Sequence, residues 1–204
     1  MARDTQSIVK MSRREGYALH PKAVKYMLKR STIPGQHGRT ARKNTGQYNI
    51  QLREKQKVRR TYGLLEKQFS NLMAEASRTQ GQSGQRLLEF LERRLDNVVY
   101  RAGFAVSRRA ARQLVTHGHF MLNGRRVDIP SIRVNAGDEI VLRDASKTNE
   151  YFKRLDEVSP VGTDSYSWLK SDRKKVAISI TGAPKREEAE ADINEQLIVE
   201  YYSR

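Results

Sequence analysis

Residues 104–126 constrain this chain more than any other stretch, because two rigid local signals follow one another without a spacer. Ser107 is a good N-cap, Gly118 a good C-terminal stop, and the Asn123-Gly124 pair beyond them favours a two-residue hairpin turn. A capped helix must therefore run directly into a β-hairpin. At about 100° per residue Arg108, Arg109 and Arg112 fall within one third of the helix circumference, and Ala110, Ala111, Leu114 and Val115 lie outside that arc. This predicts a helix docked on a core through its apolar side, with a fixed blade of guanidinium groups turned outward. Arg125 and Arg126 on the hairpin extend the same surface.

Such a blade needs a polyanion, and the chain-wide charge agrees. The 204 residues carry 39 Lys and Arg against 23 Asp and Glu, a net charge of +16. Residues 1–85 hold 18 basic against 5 acidic side chains, residues 86–145 hold 11 against 7, and residues 146–204 hold 10 against 11. A first third this basic repels itself until a partner neutralises it, so residues 1–45 are expected to be mobile in the free protein and to order on binding. At 37% hydrophobic residues, one or two modest cores are within reach. Structured RNA is the polyanion that fits. The absence of cysteine excludes disulfides, thiol nucleophiles and thiolate metal sites. No run approaches the roughly 18 apolar residues of a transmembrane helix, and the N-terminus lacks the pattern of a secretory signal, so a cytoplasmic location is expected.

Along the chain, residues 1–47 read as a basic extension containing the loop Ile33-Pro34-Gly35-Gln36-His37-Gly38. Residues 48–78 read as helical, with Gly63 as a break. The first part is basic nearly all round and offers Arg53, Lys55, Lys57, Arg59 and Arg60 as RNA contacts. The second buries Leu65, Phe69, Leu72, Met73 and Ala76 at spacings of three and four. Gly81-Gln82-Ser83-Gly84 reads as a linker. A single helix is predicted over about 85–102, with an apolar stripe between an acidic sector (Glu89, Glu92, Asp96) and a basic one (Arg86, Arg93, Arg94, Arg101). Arg93, Arg94 and Arg101 join the RNA-binding candidates, as do His117 and His119 beside the hairpin, although for the histidines a structural role comes first. Short strands are expected at 120–122, 125–127, 133–134, 139–142 and 176–180. Residues 146–175 read as a long loop with one helix around 150–158, and Ile193 to Tyr202 as a strand-like apolar run whose Tyr201 and Tyr202 are expected to pack rather than stack on RNA.

The chain resembles the small-subunit ribosomal protein S-four family over nearly its whole length. The segments carrying the likeness are Pro34-Gly35-Gln36-His37-Gly38; Leu52 to Lys57 with Arg59-Arg60 and Tyr62-Gly63; and Arg94-Leu95-Asp96-Asn97-Val98-Val99-Tyr100-Arg101. Further matches are Ala111-Arg112-Gln113-Leu114-Val115 with His117-Gly118-His119, Asn123-Gly124-Arg125, and the terminal run from Asn194 to Arg204. The resemblance implies an α+β chain: a mainly helical domain (48–85, completed by 176–204), an inserted S-four RNA-binding domain (86–175) of two helices on a small β-sheet, and a basic N-terminal extension (1–47). It further implies a structural component of the small ribosomal subunit that binds the 5′-domain helix junction of the rRNA directly and early in assembly. Arg39, Arg42 and Lys43 match positions lining the messenger RNA entrance in that family. The C-terminal segment, with Glu195, Gln196, Tyr201 and Tyr202, is implied to face a neighbouring protein of the S-five family at an interface that influences decoding accuracy.

Some members of that family carry four cysteines for zinc in the extension, whereas here Val9 to Gly16 contains none, and two isolated imidazoles, His20 and His37, do not make a tetrahedral site. No metal or other cofactor is expected. Catalysis finds little support: Asp96, Asp128 and Asp138 sit beside arginines or in turns, and Gly81 to Arg86 lacks the lysine and hydroxyl of a phosphate loop. Two alternatives remain. One is a free RNA-binding or RNA-modifying protein carrying an S-four domain, although too few residues follow that domain here for a catalytic one. The other is a DNA-binding repressor reading a major groove with the helix after Ser107.

Overall fold

The computed structural model describes residues 4–38, 40, 46–159, 166–190 and 192–203. Their elements run in the order α1 (Ile8–Glu15), α2 (Pro21–Lys29), α3 (Gln47–Thr61), α4 (Glu66–Arg78), α5 (Ser83–Glu92), α6 (Leu95–Arg101), α7 (Arg108–Thr116), β1 (Phe120–Leu122), β2 (Arg125–Val127), β3 (Glu139–Leu142), α8 (Glu150–Lys153), α9 (Leu155–Val158), β4 (Leu169–Asp172), β5 (Ala177–Ile180) and α10 (Glu195–Tyr202). The fold is α+β. Two compact units divide the chain, Met1–Leu87 with Asp192–Arg204, and Leu88–Ala191.

The first unit is helical. Its basic extension, expected to lack structure alone, carries α1 and α2. Burial of Met11 and Ala23 ties down two helices whose basic residues obscure the apolar spacing in the sequence. Glu15, at the end of α1, accepts from Arg53 at 3.0 Å and from Arg60 on α3, so the extension is anchored through a shared carboxylate. Gly63 adopts φ +66° just beyond α3 and ends it, as the sequence predicts. The terminal run is a helix, not a strand. The Asn194 side chain accepts from the backbone N–H of Gln196 and caps α10, which packs along α3 with Ile198 buried. A β-branched run does not preclude a helix whose start is capped and whose one face is covered. Gly84, read as linker, lies inside α5, where a Cβ would stand 2.7 Å from the Glu195 side chain.

The second unit is a five-stranded antiparallel sheet, ordered β2-β1-β3-β5-β4, with α6 and α7 against it. Leu95, Val98 and Val99 of α6 and Ala111 and Val115 of α7 share one core with Phe120, Ile140, Trp168 and Ile178. The β1–β2 hairpin turns on Asn123 (φ 49°) and Gly124 (φ 77°) with Phe120 opposite Val127, the geometry that the dipeptide predicts. Four expectations change. The single helix over 85–102 is broken into α5 and α6, because Arg94 forms a β-bridge with Arg133. On either side of it the backbone groups of Arg93 and Leu95 hydrogen-bond to Val134 and Ile132. Residues 133–134 thus pair with a helix junction instead of forming a sheet strand. The segment 177–180 is an inner strand between β3 and β4, so it belongs to this unit, and only residues from 192 onward return to the first. Finally, β4 lies within the expected long loop; its sequence Leu-Lys-Ser-Asp is too polar to announce a strand.

Beside the buried Ile198, the two tyrosines of α10 add ring contacts with α3 and α4. The Tyr201 ring lies 5.7 Å from that of Tyr48, and the Tyr202 ring 6.3 Å from that of Phe69. Tyr201→Ala is expected to cost about 2 kcal/mol of stability, roughly half the loss for a fully buried aromatic ring, because this one is partly exposed. Chemical denaturation measures it; unchanged stability together with weaker RNA binding would place the ring on RNA instead.

Candidate nucleic-acid interface

The helix α7 is built as its sequence asks. The Ser107 hydroxyl accepts from the N–H of Ala110 at 3.3 Å, and Gly118 takes φ +70° to end the helix and aim the chain into β1. A Cβ at Gly118 would stand 2.7 Å from Nε of Arg126, so glycine here also admits the guanidinium of β2 against the end of α7. That contact joins helix and hairpin into one face.

The three arginines of α7 do not share one role. Arg109 is exposed. Arg112 donates to Asp96 at 3.0 Å, and Arg108 donates through Nε to Asn97 at 2.8 Å and through Nη2 to Glu190 at 2.7 Å, with its guanidinium over the Tyr100 ring. Two of the three arginines expected to point outward are therefore held against acids, and Arg109 is the exposed one. A helical wheel fixes where each Cα–Cβ bond points, but side chains this long lie along the helix surface and reach carboxylates on the neighbouring helix.

Those carboxylates are buried. Asp96 accepts a two-pronged bond from Arg94, at 3.1 and 2.9 Å, beside its bond from Arg112. Glu92 accepts from Arg101 at 3.0 and 2.7 Å and from the Asn97 amide at 2.7 Å. Asn97 links the two clusters, donating its amide to Glu92 and its backbone N–H to Asp96, and it also accepts from Arg108. The acidic and basic sectors expected to stay apart on one helix are thus brought together by its break. Arg94, 4% exposed, and Lys55, 3% exposed, are the candidates that burial removes from an RNA-facing surface. Lys55 donates to Glu66 at 2.6 Å and lies over the Tyr201 ring at 4.5 Å.

The remaining candidates divide in the same way. Arg53 and Arg60 hold Glu15; Lys57 pairs with Glu54 at 3.3 Å; Arg59 donates to Gln56 and to the carbonyl of Leu64; Arg93 pairs with Glu89 at 3.1 Å and Arg101 with Glu92. Arg125, Arg126, His117 and Arg109 are all exposed, and Arg125 and Arg126, opposite Leu122 and Met121 on consecutive positions of β2, point to the two faces of the hairpin. His119 is structural. Its Nδ1 lies 3.0 Å from the Ser146 hydroxyl and its ring meets Phe152 edge-on at 5.5 Å. Burial, with His117 and Arg143 nearby, holds its pKa below the ordinary 6.5. Arg143 is a cation that the sequence analysis missed; its position at the end of β3 was the available signal. Lys22, Lys25 and Lys29 were missed as well, an exposed stripe covering about a sixth of the circumference of α2, with Tyr26 at its side. Arg39, Arg42 and Lys43 lie outside the described residues. Glu195 and Gln196 sit in the first turn of α10 with Gln196 exposed, whereas Tyr201 and Tyr202 turn toward α3 and α4. Among the described residues no group of three or more His, Cys, Asp or Glu side chains could hold a metal ion, and no helix is long and apolar enough to cross a membrane.

Two family models match the chain, one described as "Ribosomal protein S4/S9 N-terminal domain" over residues 3–92 and one as "S4 domain" over residues 93–140. Proteins called small ribosomal subunit protein uS4 are similar to it over 100% of both chains: 51% identical in Herpetosiphon aurantiacus, 47% in Chloroflexus aurantiacus and 47% in Clostridioides difficile.

Removing Arg94 leaves Asp96 short of its two-pronged partner inside the fold, so Arg94→Ala is expected to cost about 3 kcal/mol, whereas Arg125→Ala on the exposed hairpin shifts stability by less than about 0.5 kcal/mol. Thermal unfolding of the two variants makes the comparison. An NMR titration of His119 should give a midpoint below 6.5. Because the folded state favours the neutral ring, its contribution to stability is full above about pH 6.5 and is lost as the pH falls.

Proposed function

This chain belongs to the uS4 family of small ribosomal subunit proteins, and from that membership we propose how its surfaces are used. It is a structural, rRNA-binding component of the small subunit of the cytoplasmic ribosome rather than an enzyme, and its partners are rRNA and other ribosomal proteins. We infer that it binds the 5′-domain helix junction of the small-subunit rRNA, with Arg109, Arg125, Arg126 and His117 as the first contacts and Arg143 beside them. The observation that carries this reading is the rigid seat of α7: buried ion pairs fix the helix, and Gly118 locks the hairpin to its end.

Rigidity matters because A-form RNA hides its base edges in a deep, narrow groove. A protein recognises a junction by the spacing of phosphates from converging helices, and cations on a stiff support measure that spacing. The exposed lysines of α2, Lys22, Lys25 and Lys29, offer a second basic surface within the first unit. The family resemblance supports two finer assignments: Arg39, Arg42 and Lys43 at the messenger RNA entrance, and the start of α10, Glu195 and Gln196, toward a neighbour of the S-five family with an influence on decoding accuracy. Tyr201 and Tyr202 serve the inner side of α10 rather than that interface.

The test is binding of the purified protein to a folded 5′-domain rRNA fragment over a range of salt, against unfolded RNA and duplex DNA as competitors. With about eight phosphate contacts the log–log slope of affinity on salt is expected near −6 to −7, and the triple variant Arg109→Ala, Arg125→Ala, Arg126→Ala should reduce its magnitude by about 3. Equal binding to all three polyanions, or a flat salt dependence, contradicts the junction reading.

A further inference from the structure

Arg101 and Arg108 converge on a single carboxylate. Nη2 of Arg108 lies 2.7 Å and Nη2 of Arg101 3.5 Å from Oε1 of Glu190. Both forks are aimed by fixed groups: Arg108 donates through Nε to Asn97 and lies over Tyr100 at 4.6 Å, while Arg101 donates to Glu92 and to the Tyr166 hydroxyl and lies over that ring at 4.9 Å. Together they form an anion seat that would keep its shape with its occupant gone.

The occupant differs from the other acids in the network. Asp96 belongs to the first turn of α6 and Glu92 to the end of α5, and both are buried, so neither leaves its arginine without unfolding a helix. Glu190 lies outside every helix and strand, just after a 3-10 turn at Arg186–Glu188, and its side chain is 20% exposed. Ala189 is buried beside it as an anchor, and Glu190 can leave the seat without unfolding a helix or strand. Both contacts fall on the one oxygen Oε1, and a non-bridging phosphodiester oxygen accepts from a guanidinium N–H as a carboxylate oxygen does.

We propose that Glu190 fills a phosphate site, and that an RNA phosphate takes its place between Arg101 and Arg108 when the protein binds. The inference rests on the RNA-binding reading above. An internal carboxylate is present at high effective concentration, so an isolated phosphate in solution competes poorly with it. A phosphate delivered by RNA already held on Arg109, Arg125 and Arg126 competes on equal terms. Glu190 thus acts as a gate that rewards an RNA of the right shape.

Affinity of the full-length protein for the folded 5′-domain fragment tests this, with the native emission of Trp168 as the check on folding. Glu190→Gln and Glu190→Asp, the second of which keeps the charge but withdraws the carboxylate, should each bind about fivefold more tightly. Glu187→Gln, an exposed neighbour with the same change of charge, should not, and adding Arg108→Ala should abolish the gain. In the wild-type protein the 13C resonance of the Glu190 carboxyl should move to a solvated value on adding RNA, a readout that needs no variant to fold. Unchanged or weaker binding by both Glu190 variants, an equal gain in Glu187→Gln, a gain that survives loss of Arg108, or an unmoved Glu190 resonance would each overturn the proposal. Failure of the wild-type protein to select folded RNA would instead overturn the junction reading.

Discussion

The seating of α7 depends on burying Asp96 and Glu92 together with the arginines that neutralise them. A charged side chain taken out of water costs several kcal/mol unless it is paired and its remaining oxygens are hydrogen-bonded. Here both conditions are met, since Asp96 receives Arg94, Arg112 and the backbone N–H of Asn97, while Glu92 receives Arg101 and the Asn97 amide. Such a network has little tolerance for partial occupancy, because removing any member strands a buried charge. Its consequence is stiffness: α7 and the hairpin behind it hold their exposed cations at fixed separations, which a partner with a fixed pattern of phosphates can match.

The same device recurs in both units. Glu15 is shared by Arg53 and Arg60, Glu66 by Lys55 and Arg59, Asp96 by Arg94 and Arg112, and Glu190 by Arg101 and Arg108. One acid serves two bases in each case. In a chain with a net charge of +16 such shared carboxylates relieve repulsion between neighbouring arginines and lysines. These paired cations build the protein, and the candidates for recognising a partner are the exposed ones, such as Arg125 and Arg126.

The division also gives the resemblance segment Arg94 to Arg101 a physical content. Within eight residues it supplies Asp96, Asn97 and two arginines of the buried network, along with Leu95, Val98 and Val99 of the core. Asp96, Asn97 and Arg94 there are tied to partners inside the fold, and Arg101 also reaches beyond the segment to Glu190.

Local signals in the sequence determined local structure. The cap at Ser107, the stop at Gly118, the Asn123-Gly124 hairpin, the break near Gly63 and the α+β character all follow from backbone preferences acting over a few residues, and the tertiary structure keeps each of them. Net charge likewise determined the class of partner. What the tertiary structure decided was the fate of each charge. Whether Arg94 or Lys55 meets water or a carboxylate depends on residues distant in the chain, such as Arg133 pairing with Arg94 to break a helix, or Tyr201 returning over Lys55. The place of the strand 177–180, beside β3 in the second unit, and the helical form of 195–202, packed on α3, were decided similarly. A sequence specifies side-chain chemistry and backbone preference at each position; which groups lose their water is settled only when segments far apart in the chain come into contact.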